Sequence, residues 1–320
     1  MPMVSSNGGG PPHVVSERQE HGPKVMNRRA RAHLQILRRL LTASVAGLLA
    51  FGLFASAAGA QSDPTPTRKH PLRVLFMGDS LALESRDYFD FVLGYSGRAE
   101  VDDSLVFGGT AICDWLEKIG PKLKEFKPDI AVVEFAGNAF TNCMQDPATG
   151  KPYADLARVS KYWTDANEAM ETFSDHGVFV YWVNPPAGCR RTERPMTSVF
   201  IRIASRWDNA AYIDADGALN PDGTCTTYLP CLDGEPCTAT DPETGERASI
   251  VRAPDGVHFC PDATVAVAGV NAECDVYSSG AYRYATAVAV PIIQQYELTP
   301  PTAPLVPLPS ALPRRLSGGR

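Results

Sequence analysis

The sequence predicts an α/β fold built on a parallel sheet covered on both faces, on two observations. Short apolar runs alternate with helix-patterned segments from residue 72 to residue 213. Strands that alternate with helices in this way pair in parallel and are packed on both sides. The first run, Leu72-Arg73-Val74-Leu75-Phe76-Met77, reads as a buried strand that breaks at Gly78-Asp79-Ser80 and passes at once into a helix. In open α/β sheets that carboxyl edge is where ligands bind.

The elements follow in order. The first helix runs from Ser80 to about Leu93. Residues 101–107 read as the second strand, stopped by Gly108-Gly109. Residues 115–126 are helical, with Leu116, Ile119 and Leu123 at the spacing that lines up one helix face. Pro128-Asp129 leads into a third apolar strand, 130–135, followed by a loop carrying Gly137-Asn138. A long helix over 154–174 closes at His176-Gly177, and 178–183 is a fourth strand broken by Asn184-Pro185-Pro186. Residues 197–207 are helical and 211–213 form a short fifth strand. The run 219–252, rich in Pro, Gly, Asp, Thr and Cys, departs from the pattern and reads as a disulfide-pinned insertion. The pattern resumes at Val251, passes Asp255-Gly256-Val257-His258, and ends in a helix over 278–296.

The flanks divide the chain further. Residues 1–39 read as a disordered basic N-terminal region, of which 1–27 have no apolar periodicity and too little apolar surface to fold. Residues 40–60 are apolar and uncharged, follow five arginines, and close with Ala58-Gly59-Ala60. That is the layout of a secretory signal peptide, and it is equally long enough for an uncleaved transmembrane anchor. The Arg pairs also fit a twin-arginine signal. Either way the rest of the chain is expected outside the cytoplasm. A linker, 61–70, precedes the main domain, 71–298, and 299–320 is a Pro-rich tail.

Charge and cysteine content narrow the function classes. The first sixty residues carry seven Lys and Arg against two Asp and Glu, so a chain of net charge −6 leaves −11 on the remainder. A nucleic-acid binder needs a basic face, which this balance opposes. All eight cysteines lie after Ala60. An even number in an exported domain reads as disulfides, with the pairing open. Zinc is the competitor, but no Cys-x-x-Cys pair is present. Asp214-Ala215-Asp216-Gly217-Ala218-Leu219-Asn220 has a weak likeness to a calcium loop, yet lacks the terminal Glu. No cofactor or metal is expected, and membrane contact only through 40–60 if that segment is retained.

Ser80 is the candidate nucleophile: its hydroxyl faces the crevice, and its own N–H, at a helix start, is free to meet developing negative charge. A serine needs a base. Of six histidines, His13, His21 and His33 precede the apolar segment, His70 sits in the linker, and His176 suits a helix C-cap. His258 remains, with Asp255 three residues before it to fix the imidazole tautomer. Gly109 and Asn138, each after a strand, supply candidate oxyanion donors. In this reading four successive strand ends on one sheet edge deliver Ser, Gly, Asn and then Asp with His.

In these residues, taken together, the chain resembles the SGNH (GDSL) hydrolase family. Gly78-Asp79-Ser80 matches the first block and Asp255-Gly256-Val257-His258 the Asp-x-x-His block. Gly109 fits the second block, with Gly108 as the other choice. The third block is usually Gly-x-Asn-Asp and here reads Ala136-Gly137-Asn138-Ala139. Val183-Asn184-Pro185-Pro186 is similar to the Pro-containing fourth-strand end of many members. The resemblance implies a flavodoxin-like three-layer α/β/α sandwich and metal-free acyl-ester chemistry. It gives Ser80, His258 and Asp255 as the triad, and the Ser80 N–H, the Gly109 N–H and the Asn138 amide as the oxyanion hole. The expected protein is a monomeric serine esterase acting on a small-molecule or carbohydrate ester, acetyl esters among them. An O-acyltransferase on cell-envelope sugars and a non-catalytic envelope-binding module are the alternatives. Cys113, Cys143 and Cys260 lie close to the site residues in sequence, so disulfides there would hold its loops.

Overall fold

The computed structural model describes residues 65–189, 194–237, 239–261, 274 and 277–300. The expected N-terminal region, the 40–60 segment and all but the start of the Pro-rich tail lie outside them. Among the described residues no helix is long and apolar enough to cross a membrane.

Five parallel strands form the main sheet: β1 (Leu72–Gly78), β2 (Ala99–Val106), β3 (Ile130–Glu134), β4 (Phe179–Val183) and β5 (Ala210–Ile213). Their spatial order is β2-β1-β3-β4-β5. That is the flavodoxin-like order, whose direction of winding reverses between β1 and β3. The register sets Gly78 beside both Val106 and Glu134, so the ends of β2, β1 and β3 finish level.

The strands alternate between two apolar cores, as the period of two requires. Val74, Phe76, Ile130, Val132, Tyr181 and Val183 face one core. Helices α1 (Ser80–Gly94) and α5 (Ser279–Gln295) close it through Leu81, Phe89, Tyr284 and Ile292. Leu75, Met77, Ala131, Val133, Val180 and Trp182 face the other. There α2 (Leu116–Phe126), α3 (Asp155–Asp175) and α4 (Arg194–Arg206) supply Ile119, Leu123, Tyr162, Ala166, Phe200 and Ile203. The architecture is the expected three-layer sandwich, and the sequence-derived ends of these elements fall within three residues of the observed ones.

Two expectations need correction. The insertion is not merely a pinned loop. It holds three short strands, β6 (Tyr228–Pro230), β7 (Ala239–Thr240) and β8 (Arg247–Ile250), paired antiparallel in the order β6-β8-β7. Too few apolar residues alternate in strands this short for the pattern to be read. Second, Asp255 and His258 do not follow a strand of the main sheet. Their loop leaves β8 of the small sheet and leads toward α5, so three main-sheet strand ends, not four, meet at the candidate site. The eight cysteines pair as Cys113–Cys143, Cys189–Cys225, Cys231–Cys237 and Cys260–Cys274.

Candidate active site

Ser80 is the first residue of α1, and the Asp79 carboxylate caps that helix by accepting the Leu81 N–H at 3.1 Å. Gly78 allows the turn its tightness: a β-carbon there would lie 2.5 Å from both Ala82 Cβ and the Glu134 carbonyl oxygen. The serine is thereby held at the junction of sheet and helix, half-buried, on the reversal between β1 and β3.

The base arrives from far along the chain. His258 Nε2 lies 2.9 Å from Ser80 Oγ, and His258 Nδ1 lies 2.6 Å from Asp255 Oδ2. Asp255 Oδ1 accepts the N–H groups of Val257 and His258 at 2.8 and 3.0 Å, so the carboxylate organises its own loop. Arg252, wholly buried, donates from Nη1 to Val257 O and from Nη2 to Ala187 O. Gly256 is required twice over. Its φ is +73°, and a β-carbon would come within 2.8 Å of Cys189 Cβ. Cys189 in turn donates its N–H to Gly256 O at 2.9 Å and is tied to Cys225. A hydroxyl, an imidazole and a carboxylate joined in series are the arrangement that general-base activation of a serine needs.

The electrostatics agree with that arrangement. Burial raises the Asp255 carboxyl, but the His258 imidazole and the two backbone N–H groups outweigh it and hold Asp255 well below the usual carboxylate range. Burial lowers His258, yet the Asp255 hydrogen bond and the charges of Glu84, Asp255 and Asp79 leave it raised above its ordinary value. Asp255 therefore stays ionised wherever His258 titrates.

Asp79 does more than cap. Its Oδ2 accepts the Ala136 N–H at 2.7 Å and the Asn138 Nδ2 at 2.8 Å, so one buried carboxylate joins the Ser80 turn to the loop after β3. Burial pushes Asp79 up to about 6 against the pull of these donors and of His258. The second Asn138 amide contact is to Thr110 O at 3.2 Å. The Asn138 carbonyl accepts the Tyr162 hydroxyl at 3.0 Å. Gly109 lies in the turn three residues beyond β2 with φ +77°, and a β-carbon there would meet no heavy atom within 4 Å. Cys113–Cys143 links the loop of Gly109 to the loop of Asn138. The departure at the acid position has a packing reason: Ala139 is buried in one core, where an acid would be desolvated, while Ala136 packs against the other core.

The remaining sequence candidates have other employment. His176 caps α3, its Nδ1 lying 2.9 Å from Thr172 O. In the acidic turn, Asp214 accepts from Asn184 Nδ2 and Asp216 accepts from the Ala187 N–H and Asn220 Nδ2, which fastens the end of β4. The cysteine sulfurs that cluster with Glu84 or Asp114 are those of Cys260–Cys274 and Cys113–Cys143, and a disulfide sulfur is a poor metal ligand. Sequence reasoning missed the bracing roles of Asp79 and Glu84. Asp79 reads as a plain cap and Glu84 as one more charge on a helix.

A family model described as "Protein of unknown function (DUF459)" matches residues 73–270. No curated protein matches the chain. Similar solved structures include a lipase/acylhydrolase from Enterococcus faecalis, 16% identical, covering 72% of this chain and 99% of its own, with a TM-score of 0.40. A catalytic mutant of an acetylxylan esterase from Geobacillus stearothermophilus is 13% identical over 71% of this chain and 94% of its own, TM-score 0.41. A GDSL-like lipase from Bacteroides thetaiotaomicron is 12% identical over 73% and 92%, TM-score 0.40.

Proposed function

The chain belongs to the DUF459 family, which is SGNH-like, and from that premise we propose that it is a serine esterase hydrolysing small acyl esters, acetyl esters among them, outside the cytoplasm. The observation that carries the reading is the continuous series Asp255 Oδ2–His258 Nδ1 at 2.6 Å and His258 Nε2–Ser80 Oγ at 2.9 Å.

In this mechanism Ser80 Oγ attacks the ester carbonyl while His258 Nε2 takes the hydroxyl proton. Asp255 holds the imidazole in the tautomer that leaves Nε2 free to accept, and stabilises the imidazolium once formed. The oxyanion is met by the N–H groups of Ser80 and Gly109 and by the Asn138 amide, which exchanges its 3.2 Å contact with Thr110 O for the stronger charge-assisted bond. His258 then gives its proton to the leaving alcohol. Water, deprotonated by the same imidazole, releases the acyl group and restores the serine. The four disulfides favour an oxidising compartment, which supports work outside the cytoplasm.

The test is hydrolysis of p-nitrophenyl acetate by the oxidised protein beside Ser80→Ala and His258→Ala, with products analysed in the presence and absence of acceptor sugars. Loss of nearly all turnover in both variants, with free acetate as product, supports the esterase. Undiminished turnover in Ser80→Ala refutes it, and acetylated sugar as the main product would make it a transferase.

A further inference from the structure

Ser80, Glu84 and Tyr88 stand four residues apart on α1 and so share one face of the helix. Each meets the segment that begins at His258. Ser80 Oγ faces His258 Nε2. Glu84 Oε2 accepts the Phe259 N–H at 2.6 Å. The Tyr88 hydroxyl accepts the Ser278 N–H at 2.9 Å. Ser278 closes the circuit: its hydroxyl donates to Phe259 O at 2.7 Å and accepts the Ala281 N–H at the start of α5. Glu84 is only 5% exposed. A carboxylate so far from water costs stability unless hydrogen bonds, an opposite charge or a proton offset its desolvation.

We propose that Glu84 is a positioning residue of this site: its carboxylate fastens the helix that carries Ser80 to the loop that carries His258, and sets a further negative charge near the imidazole. The catalytic consequence rests on the esterase reading above; the physical link to His258 does not. The backbone N–H of the residue that follows the histidine is held by a side chain a single helical turn from the nucleophile. A small slip of that loop would therefore open the 2.9 Å contact between base and serine.

The charges around the pair are named by the structure. His258 faces Asp255 on its own loop, Glu84 on α1 and Asp79 at its cap. The Arg252 guanidinium donates to Val257 O from the start of the same loop. Glu84 faces His258 and Asp255, and burial pushes it up to about 7 against the charge of His258 and the Phe259 N–H. The charge of each group shifts the titration of the other.

The experiment uses the full oxidised chain with isotope-labelled histidine. The His258 signal is assigned by its loss in His258→Ala and followed over about pH 5 to 9 in wild type and Glu84→Gln. Glutamine keeps an oxygen for the Phe259 N–H and removes the charge. The proposal expects a folded variant whose His258 midpoint falls on the order of half to one unit. Where esters are hydrolysed, the acid limb of kcat/KM moves with it. Glu84→Ala, which also removes the acceptor, is expected to lose at least roughly tenfold in kcat with little change in KM, and Glu84→Gln to recover most of that loss. A purely structural carboxylate would leave the His258 midpoint of Glu84→Gln at the wild-type value, and that result overturns the proposal. A protein whose His258 shifts as stated but which hydrolyses no ester upholds the link and refutes the esterase reading alone.

Discussion

Asn138→Ala separates two roles that one amide plays in the structure. The amide nitrogen donates to Asp79 Oδ2 at 2.8 Å and to Thr110 O at 3.2 Å. The first bond braces a buried carboxylate; the second is long and between neutral groups. A neutral bond of that kind is worth about 0.5–1.5 kcal/mol net, and a bond to a charged group about 1.5–3 kcal/mol. An oxyanion at the carbonyl position thus outbids Thr110 O by roughly 1–2 kcal/mol even before the water-poor site strengthens the contact. Loss of one oxyanion donor typically costs about 10²–10³ in kcat. The variant also takes one donor from Asp79, which keeps those from Leu81 and Ala136. We therefore expect kcat on p-nitrophenyl acetate to fall about 10²–10³-fold with KM changed little. Stability should fall by about 1.5–3 kcal/mol in urea unfolding at pH 8, where Asp79 is charged. Wild-type kcat beside a clear loss of stability would mean that the amide only braces Asp79, and the oxyanion assignment would be refuted.

Other expectations follow from the same geometry. Because His258 must be neutral to accept the serine proton and is held above its ordinary value, kcat/KM should rise with pH through a midpoint above 6.5; a midpoint below 6.5 in a pH–rate profile contradicts the charge arrangement. Glu134 is fully buried beside Asp79 in the sheet and burial raises it well above the usual carboxylate range. A raised carboxyl supports the fold fully below its unfolded value, and that support is lost as pH rises through its folded value. Glu134→Gln should accordingly lose less stability than wild type between pH 5 and pH 8, and parallel denaturation curves across that range would contradict this. Replacing Cys113 and Cys143 together by serine opens a loop of thirty residues. That should cost on the order of 3–4 kcal/mol of stability and lower kcat as the Gly109 and Asn138 loops loosen; unchanged kcat would show that the bridge serves stability alone.

How much of this is legible in the sequence depends on the distance over which each feature is encoded. Leu72 to Gly78 and Ser80 to Gly94 are read to within a residue, because an apolar run and a helix start are local patterns. Ser80, Asp255 and His258 are legible as a set because each belongs to a short block of fixed spacing, although 178 residues separate the serine from its base. The small sheet is not legible. Its strands are two to four residues long, and disulfides and the buried Glu235–Arg283 ion pair stand in for apolar alternation. The exits of the Asp255–His258 loop are misjudged for the same reason. Glu84 and Asp79 owe their roles to partners 175 and 57 residues away, and nothing in the local sequence of a helix N-terminus names such partners.

The most direct test of the central claim is the intact mass of the oxidised protein after exposure to a fluorophosphonate, with Ser80→Ala treated alongside. An activated serine in an assembled site predicts one adduct, mapped to the peptide containing Ser80 and absent from the variant. No adduct on folded, fully oxidised protein, or the same adduct on Ser80→Ala, would contradict it.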